Sequence, residues 1–124
     1  MLRRFCFVLV SALAVAGCGT ATEGGTCDSN GFLCMDATTA LECRLGKWVK
    51  LPCRGPNGCK RDADVIRCDM TGNLENDACA STAEGRGICT SDNLGTLECR
   101  SGVLVKTNTC RSCSVSGDQV VCQP

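Results

Sequence analysis

The chain has no histidine and no tyrosine among its 124 residues, and other aromatic side chains are few. Without histidine it has neither a Ser-His-Asp nor a Cys-His catalytic group, and no imidazole can ligate a metal. Trp48 and Phe32 are the only aromatic residues beyond the first seven positions. So few large side chains cannot build an aromatic core. We therefore expect no enzymatic activity, no histidine-ligated metal and no other cofactor; a cysteine-only zinc site would fit the spacing but is disfavoured where cysteines are oxidised to disulfides.

An excess of either charge is also missing. Thirteen Lys and Arg residues balance thirteen Asp and Glu residues, so the net charge at pH 7 is zero. Nucleic-acid binding requires a basic field, which this chain lacks. Its aspartates are scattered through turns and form neither a calcium-binding loop nor a carboxylate pair suited to acid–base catalysis. We therefore expect no nucleic-acid partner.

The longest apolar run, Phe5 to Ala16, has twelve residues and is too short to span a bilayer. Two arginines precede it, and a basic start followed by a short apolar run is typical of a secretory signal peptide. The run ends in Val15-Ala16-Gly17-Cys18, which resembles the bacterial lipobox. That resemblance implies cleavage directly before Cys18, a diacylglycerol group on its thiol and a further acyl chain on its new amine.

This processing predicts an exported protein that is held in the membrane of the bacterial cell envelope by acyl chains on Cys18. Several chains on one residue exceed what stable anchoring needs, whereas a single chain anchors only marginally. Gly19 follows the acylated residue, and similarity to Gram-negative sorting signals favours the outer membrane if the host has one. The alternative is an ordinary signal peptide with a chance cysteine.

Cysteine is what the chain has in abundance. Its fourteen cysteines are typical of a disulfide scaffold, and exported cysteines meet an oxidising space. Cys6 lies in the predicted signal and Cys18 at the lipid site. The other twelve form two sets of six, and we expect each set to be disulfide-bonded within itself: Cys27, Cys34, Cys43, Cys53, Cys59 and Cys68, then Cys79, Cys89, Cys99, Cys110, Cys113 and Cys122.

Other residues repeat together with the cysteines. The ten residues that begin at Leu41 match those that begin at Leu97 at seven positions. This repetition indicates an internal duplication of a module too small for a stable apolar core, so three disulfides at roughly 2–4 kcal/mol each decide whether a module folds. We expect a signal peptide over 1–17, a lipid-anchored tether over 18–26, modules over 27–69 and 75–124, and a linker over 70–74.

The local pattern predicts β-hairpins. Gly46-Lys47 and Gly102-Val103 lie between runs of Leu, Val and Trp, and a Gly-X pair signals a two-residue type II′ turn. A third turn at Gly117-Asp118 would place Cys113 opposite Cys122, where a disulfide is allowed by geometry but not required. Six cysteines permit fifteen pairings, which the sequence leaves open. We expect a small all-β, disulfide-rich fold with two tandem β-hairpin modules after a helical signal segment.

The first module is similar to the chitin-binding module of fungal chitinases, carbohydrate-binding module family 19. The similarity covers residues 27–68 and depends on the string Gly46-Lys47-Trp48-Val49 and on the cysteine spacing Cys27-x6-Cys34-x8-Cys43-x9-Cys53-x5-Cys59. The whole chain resembles the cysteine-rich repeat lipoproteins of myxobacteria. The first resemblance implies glycan binding, with Trp48 as a platform for the C–H face of a sugar ring and Lys47 as a polar neighbour. The second module has Leu104 in place of Trp48.

Two functions stay open. The first is recognition of a glycan, such as chitin or a peptidoglycan-like polymer, through Trp48 and Lys47. The second is a structural or protein-interaction role in the envelope with no sugar site. In that case Trp48 packs on Leu45 across the hairpin and covers a disulfide, while Lys47 belongs to a solvated face. Protease inhibition would also suit a disulfide scaffold, but the sequence shows no reactive loop.

Overall fold

A computed structural model of the chain describes residues 20–124. The predicted signal peptide over 1–17, its expected helix and the lipidation site Cys18 lie outside the described residues. In the first module the strands are β1 (Phe32–Asp36), β2 (Thr39–Arg44), β3 (Lys47–Pro52), β4 (Cys59–Asp62) and β5 (Val65–Cys68). In the second module a short 3₁₀ helix (Ser81–Ala83) precedes β6 (Gly87–Cys89), β7 (Gly95–Arg100), β8 (Val103–Thr109), β9 (Ser112–Ser116) and β10 (Gln119–Gln123).

Both modules have the same architecture. Each consists of a three-stranded antiparallel sheet, β1-β2-β3 or β6-β7-β8, followed by a two-stranded hairpin, β4-β5 or β9-β10. The predicted all-β, disulfide-rich fold of tandem hairpin modules is therefore confirmed for the described residues. No helix in this part of the chain is long and apolar enough to cross a membrane.

The twelve cysteines from Cys27 onward form six disulfides, and none of these bridges joins the two modules. In each module the first cysteine bonds the third, the second bonds the fifth and the fourth bonds the sixth. The bridges are Cys27–Cys43, Cys34–Cys59, Cys53–Cys68, Cys79–Cys99, Cys89–Cys113 and Cys110–Cys122. The shared connectivity shows that the duplication extends to the covalent framework.

The third predicted turn is confirmed, and its two flanking cysteines bond elsewhere. Gly117 has a φ of 61°, and β9 pairs with β10 so that Cys113 lies opposite Cys122. Although the two are neighbours across the hairpin, Cys113 bonds Cys89 and Cys122 bonds Cys110. One disulfide thereby links the hairpin to the three-stranded sheet, and the other links it to the segment between β8 and β9. A disulfide within the hairpin would make neither link.

The other two predicted turns are wrong by one residue. Arg44 pairs with Lys47, so the loop is Leu45-Gly46, and the corresponding loop in the second module is Ser101-Gly102. All four loop residues have φ between 50° and 80°, which is the type I′ conformation. This turn matches the right-handed twist of the strands, and the twist outweighs the cost of a left-handed non-glycine residue.

Each module begins with a short extended segment, which we call the opening segment: residues 24–26 in the first module and 76–78 in the second. It lies along the last strand of the three-stranded sheet. In the first module, Gly24 donates to the carbonyl of Trp48 at 2.8 Å, and Trp48 donates to the carbonyl of Gly25 at 2.9 Å. In the second module, Asn76 and Asp77 make the same two bonds to Leu104 at 2.8 and 2.9 Å. These segments cover sheet edges that would otherwise expose unpaired backbone groups.

The apolar core has two clusters, and residues from outside its own module pack against each of them. Ala40, Leu51, Cys53 and Cys59 form the first, against which Ala78 and Ala80 of the second module pack. The second contains Cys79, Ala83, Leu97, Cys99 and Leu104, and Met70 from the predicted linker packs against it. No disulfide joins the modules, but their apolar packing is partly shared.

The predicted linker also carries a fully buried amide. Asn73 is 0% exposed. Its side-chain oxygen accepts from the backbone N–H of Arg54 at 3.0 Å, and its nitrogen donates to the carbonyl of Pro52 at 2.7 Å. These bonds hold the connecting segment against the end of the first module.

Candidate functional site

Trp48 lies on β3, directly opposite Cys43, whose sulfur is bonded to Cys27. It is half-buried, because the opening segment lies along its backbone and beside its ring. A Cβ added at Gly25 would lie 3.7 Å from Cδ1 of the indole. One edge of the ring is therefore close to the opening segment, while part of its surface stays accessible.

The expected contact between Trp48 and Leu45 is absent. Leu45 is 100% exposed, since it forms the first residue of the type I′ loop and does not belong to a paired strand. The contact depended on a turn one residue later, which would have placed Leu45 opposite Trp48. The other part of that interpretation, proximity to a disulfide, agrees with the register that puts Trp48 opposite Cys43.

An open cleft of about 620 Å³, of which Trp48 is not a lining residue, lies further along β3. Alternate residues of a strand share a face, so Trp48, Lys50 and Pro52 form one row along β3. Lys50 and Pro52 line the cleft. The remaining lining comes from the predicted tether and from both modules: Glu23 from the tether, Thr38, Thr39 and Arg54 from the first module, and Asn76, Asp77 and Ala78 from the opening of the second.

One side of the cleft is fixed by an ion pair between the modules. Nε and Nη2 of Arg54 donate to the two carboxylate oxygens of Asp77 at 2.8 and 3.1 Å, and the N–H of Leu74 donates to the same carboxylate at 2.8 Å. The hydrogen bond from Arg54 is the main reason that the pKa of Asp77 lies below its usual value. The two charges compensate each other and hold the wall of the cleft in place.

The rest of the lining offers hydrogen-bonding groups to a ligand. Glu23 and Lys50 are exposed and bring one carboxylate and one ammonium group to the cleft. Thr38 and Asn76 add a hydroxyl and an amide. This lining, with an aromatic ring on the same sheet face, suits a neutral or zwitterionic ligand that carries many hydroxyl groups.

The structure separates Lys47 from Trp48. Lys47 begins β3 opposite Arg44 and, being one residue away, projects from the other face of the sheet. Lys50 instead shares the face of Trp48. Sequence reasoning missed Glu23, Arg54 and Asn76, because the cleft arises from the packing of one module on the other. A glutamate four residues before the first cysteine of each set was the one visible signal for Glu23.

The second module has no equivalent surface. Leu104, which replaces Trp48, is 1% exposed and belongs to the apolar core. Its side chain therefore offers nothing to a ligand, and the platform position is accessible in the first module alone.

Within residues 20–124, no group of three Cys, Asp or Glu side chains could hold a metal ion. Comparisons with protein-family models, with curated proteins and with solved structures find no match to this chain.

Proposed function

We propose that the protein is a lipid-anchored component of the bacterial cell envelope that binds a glycan in the cleft between its two modules. The observation that carries the proposal is the shared face of β3, on which half-buried Trp48 leads through Lys50 and Pro52 into a polar cleft. The ligand class is an N-acetylglucosamine polymer such as chitin or peptidoglycan.

The chemistry of a sugar supports this choice. A pyranose ring has one face of C–H groups, which packs on an aromatic plane, and a rim of hydroxyls that need polar partners. Trp48 supplies the plane, and the hydroxyl, amide and charged groups of the cleft supply the partners. Ligand sites commonly combine apolar contact area with a few polar groups that fix orientation.

The anchor would determine where this binding takes place. Acyl chains on Cys18 would hold the modules at the membrane surface, and the few residues between Cys18 and the first module would act as a short tether. A module that binds an envelope polymer from this position would fasten the membrane to that polymer. The protein would thus connect the membrane, through its acyl chains, to the glycan, through its binding site.

Retention on insoluble polymers tests the glycan site. The chain from residue 19 onward, without acyl groups, is incubated with chitin and with purified peptidoglycan, and bound protein is measured after washing. We expect retention on at least one polymer and its loss in Trp48→Ala, with the variant still folded by circular dichroism. If the wild-type protein passes through both polymers, the proposed glycan site is wrong and the structural or protein-interaction role replaces it.

The anchor is tested separately by palmitate labelling of the full chain in a bacterial host. We expect the mature protein to carry the label and to partition into detergent. Cys18→Ser should lose the label and keep its signal peptide. Normal processing of this variant would contradict the lipid anchor, whatever the outcome on glycans.

A further inference from the structure

The same ion pair occurs once in each module, in different surroundings. Glu42 and Arg44 form it on β2, and Glu98 and Arg100 form it at the repeated positions on β7. The side chains of Glu42 and Arg44 are 4% and 24% exposed. Those of Glu98 and Arg100 are 32% and 59% exposed. Something therefore covers the first pair that does not cover the second.

The cover of the first pair is the beginning of the second module. The backbone N–H and the hydroxyl of Ser81 both donate to the Glu42 carboxylate, the N–H at 3.1 Å to Oε1. Arg44 donates through Nη2 to the carbonyl of Cys79. The guanidinium of Arg44 also lies close to the β7-β8 loop of the second module, where a Cβ added at Gly102 would lie 2.7 Å from Nη1.

All three groups that meet this pair are present again at the front of the first module. The sequence Cys79-Ala80-Ser81 is repeated as Cys27-Asp28-Ser29, and Gly102 corresponds to Gly46 in the same type I′ loop. Ser29 and Gly46 are exposed and Cys27 is partly so. We call the contact between the Glu42–Arg44 pair and the second module the covered joint. Each of its two halves recurs on an open surface: the Glu98–Arg100 pair on the second module, and the groups of Cys27, Ser29 and Gly46 at the front of the first.

We propose that the open Glu98–Arg100 pair binds the front of a second copy of this chain and so repeats the joint between the two modules. Arg100 would donate to the carbonyl of Cys27, and Glu98 would accept from the N–H and hydroxyl of Ser29. The contact joins two different surfaces, so it is head-to-tail and can extend into rows of molecules. It does not depend on glycan binding, but it rests on the proposed lipid anchor, which palmitate labelling tests separately.

The substitutions around the joint make its open halves more polar than the covered one. In the covered joint, Ala80 packs against the apolar cluster that contains the opposed pair Ala40 and Leu51. On β7 and β8 the opposed pair is Thr96 and Asn108. The front of the first module has Asp28 in place of Ala80. Polar groups thus replace apolar ones on both halves of the open joint.

A polar joint without the covalent connection is weaker than the one within the chain. Burial of apolar area is the main stabilising term in most protein association, and here it is reduced. Anchoring on one membrane compensates, because restriction to a surface raises the effective concentration of one module near another. We therefore expect the contact on membranes and at high surface density.

Photo-crosslinking on vesicles tests the joint with the mature, acylated protein. Val103, on β8 opposite Arg100 and partly exposed, is replaced by a photoreactive residue, Val103→p-benzoylphenylalanine. After irradiation we expect a dimer on a reducing gel, linked to the tryptic peptide that ends at Arg44. The double substitution E98Q/R100Q should lower its yield about five- to tenfold, as expected for the loss of charge-assisted hydrogen bonds.

A matched control removes another exposed ion pair without changing the net charge. Arg61 and Asp64 form such a pair on the β4-β5 hairpin, and R61Q/D64N should leave the dimer yield unchanged. Ser29→Ala removes the proposed hydroxyl donor on the other side of the contact and should also lower the dimer yield. Thermal melting of every variant checks that it is folded. No dimer, a dimer linked elsewhere, or equal yields with and without E98Q/R100Q would overturn the proposal.

Discussion

Glu42 of the first module accepts hydrogen bonds from the backbone N–H and the hydroxyl of Ser81 in the second module. The residues lie 39 positions apart, and no disulfide within residues 20–124 crosses between their modules. The relative position of the modules therefore depends on noncovalent contacts. Glu42 is the most buried charged side chain among those contacts.

Glu42→Ala should strongly destabilise the protein. The substitution leaves Arg44 without its partner and the N–H of Ser81 without an acceptor, and breaking a buried pair in this way costs about 3 kcal/mol. Guanidinium unfolding with the disulfides intact gives the free energy of unfolding. Glu98→Ala, in the repeated but open pair, is the matched control and should cost less than about 1 kcal/mol. Equal losses would show that burial of the first pair contributes nothing.

Asn73→Ala should also destabilise the protein. The substitution leaves the partly buried N–H of Arg54 and carbonyl of Pro52 without the buried amide that bonds them, at a cost of about 2 kcal/mol. The same unfolding measurement applies, and Asn30→Ala at an exposed position provides the control. If both variants unfold alike, the connecting segment does not depend on Asn73.

Leu45→Asn should stabilise the protein, because Leu45 has a φ of 50° and a fully exposed side chain. Asn tolerates this conformation and precedes glycine in the preferred type I′ turn, so we expect a gain of about 0.5–1 kcal/mol. The melting temperature should rise accordingly. Leu94→Asn, at a half-exposed position without a positive φ, should bring no gain. A lower melting temperature for Leu45→Asn would contradict the turn assignment.

Acidification should destabilise the protein through Asp77, which pairs with Arg54 across the module boundary. Its pKa in the folded protein lies below the ordinary value because Arg54 and the N–H of Leu74 stabilise the carboxylate. A lowered folded pKa contributes stability above the unfolded pKa, near 3.8, which is lost as the pH falls through the folded value. Unfolding measured from pH 6 down to the strongly acid range should show this loss. Asp77→Asn should show a smaller decrease, and an unchanged slope would exclude this contribution.

Much of the fold could be predicted from the sequence, because the signals were local or repeated. The two sets of six cysteines and the duplicated stretch around Cys43 and Cys99 predicted two β-hairpin modules, and the structure has them. The disulfide pairing could not be chosen, since fifteen arrangements satisfy the same count. The turns at Leu45-Gly46 and Ser101-Gly102 were missed because a Gly-X and an X-Gly turn have overlapping signals.

The site was less predictable than the fold. Trp48 is conspicuous as the only tryptophan, but adjacency in the sequence predicts Lys47 as its neighbour, whereas strand alternation places Lys47 on the other face. The cleft itself has no local signal. It combines Glu23 and Lys50 with Asn76 and Asp77, and only the packing of the modules brings them together.

The single tryptophan gives the most direct test of the central claim, that a glycan binds beside Trp48. Intrinsic fluorescence of the wild-type protein reports on this one ring. Titration with soluble N-acetylglucosamine oligomers and with peptidoglycan fragments should give a saturable change in emission intensity or wavelength, and Lys50→Gln should weaken it without altering the spectrum of the free protein. Emission that stays constant up to millimolar concentrations of both ligand classes would contradict glycan recognition at this site.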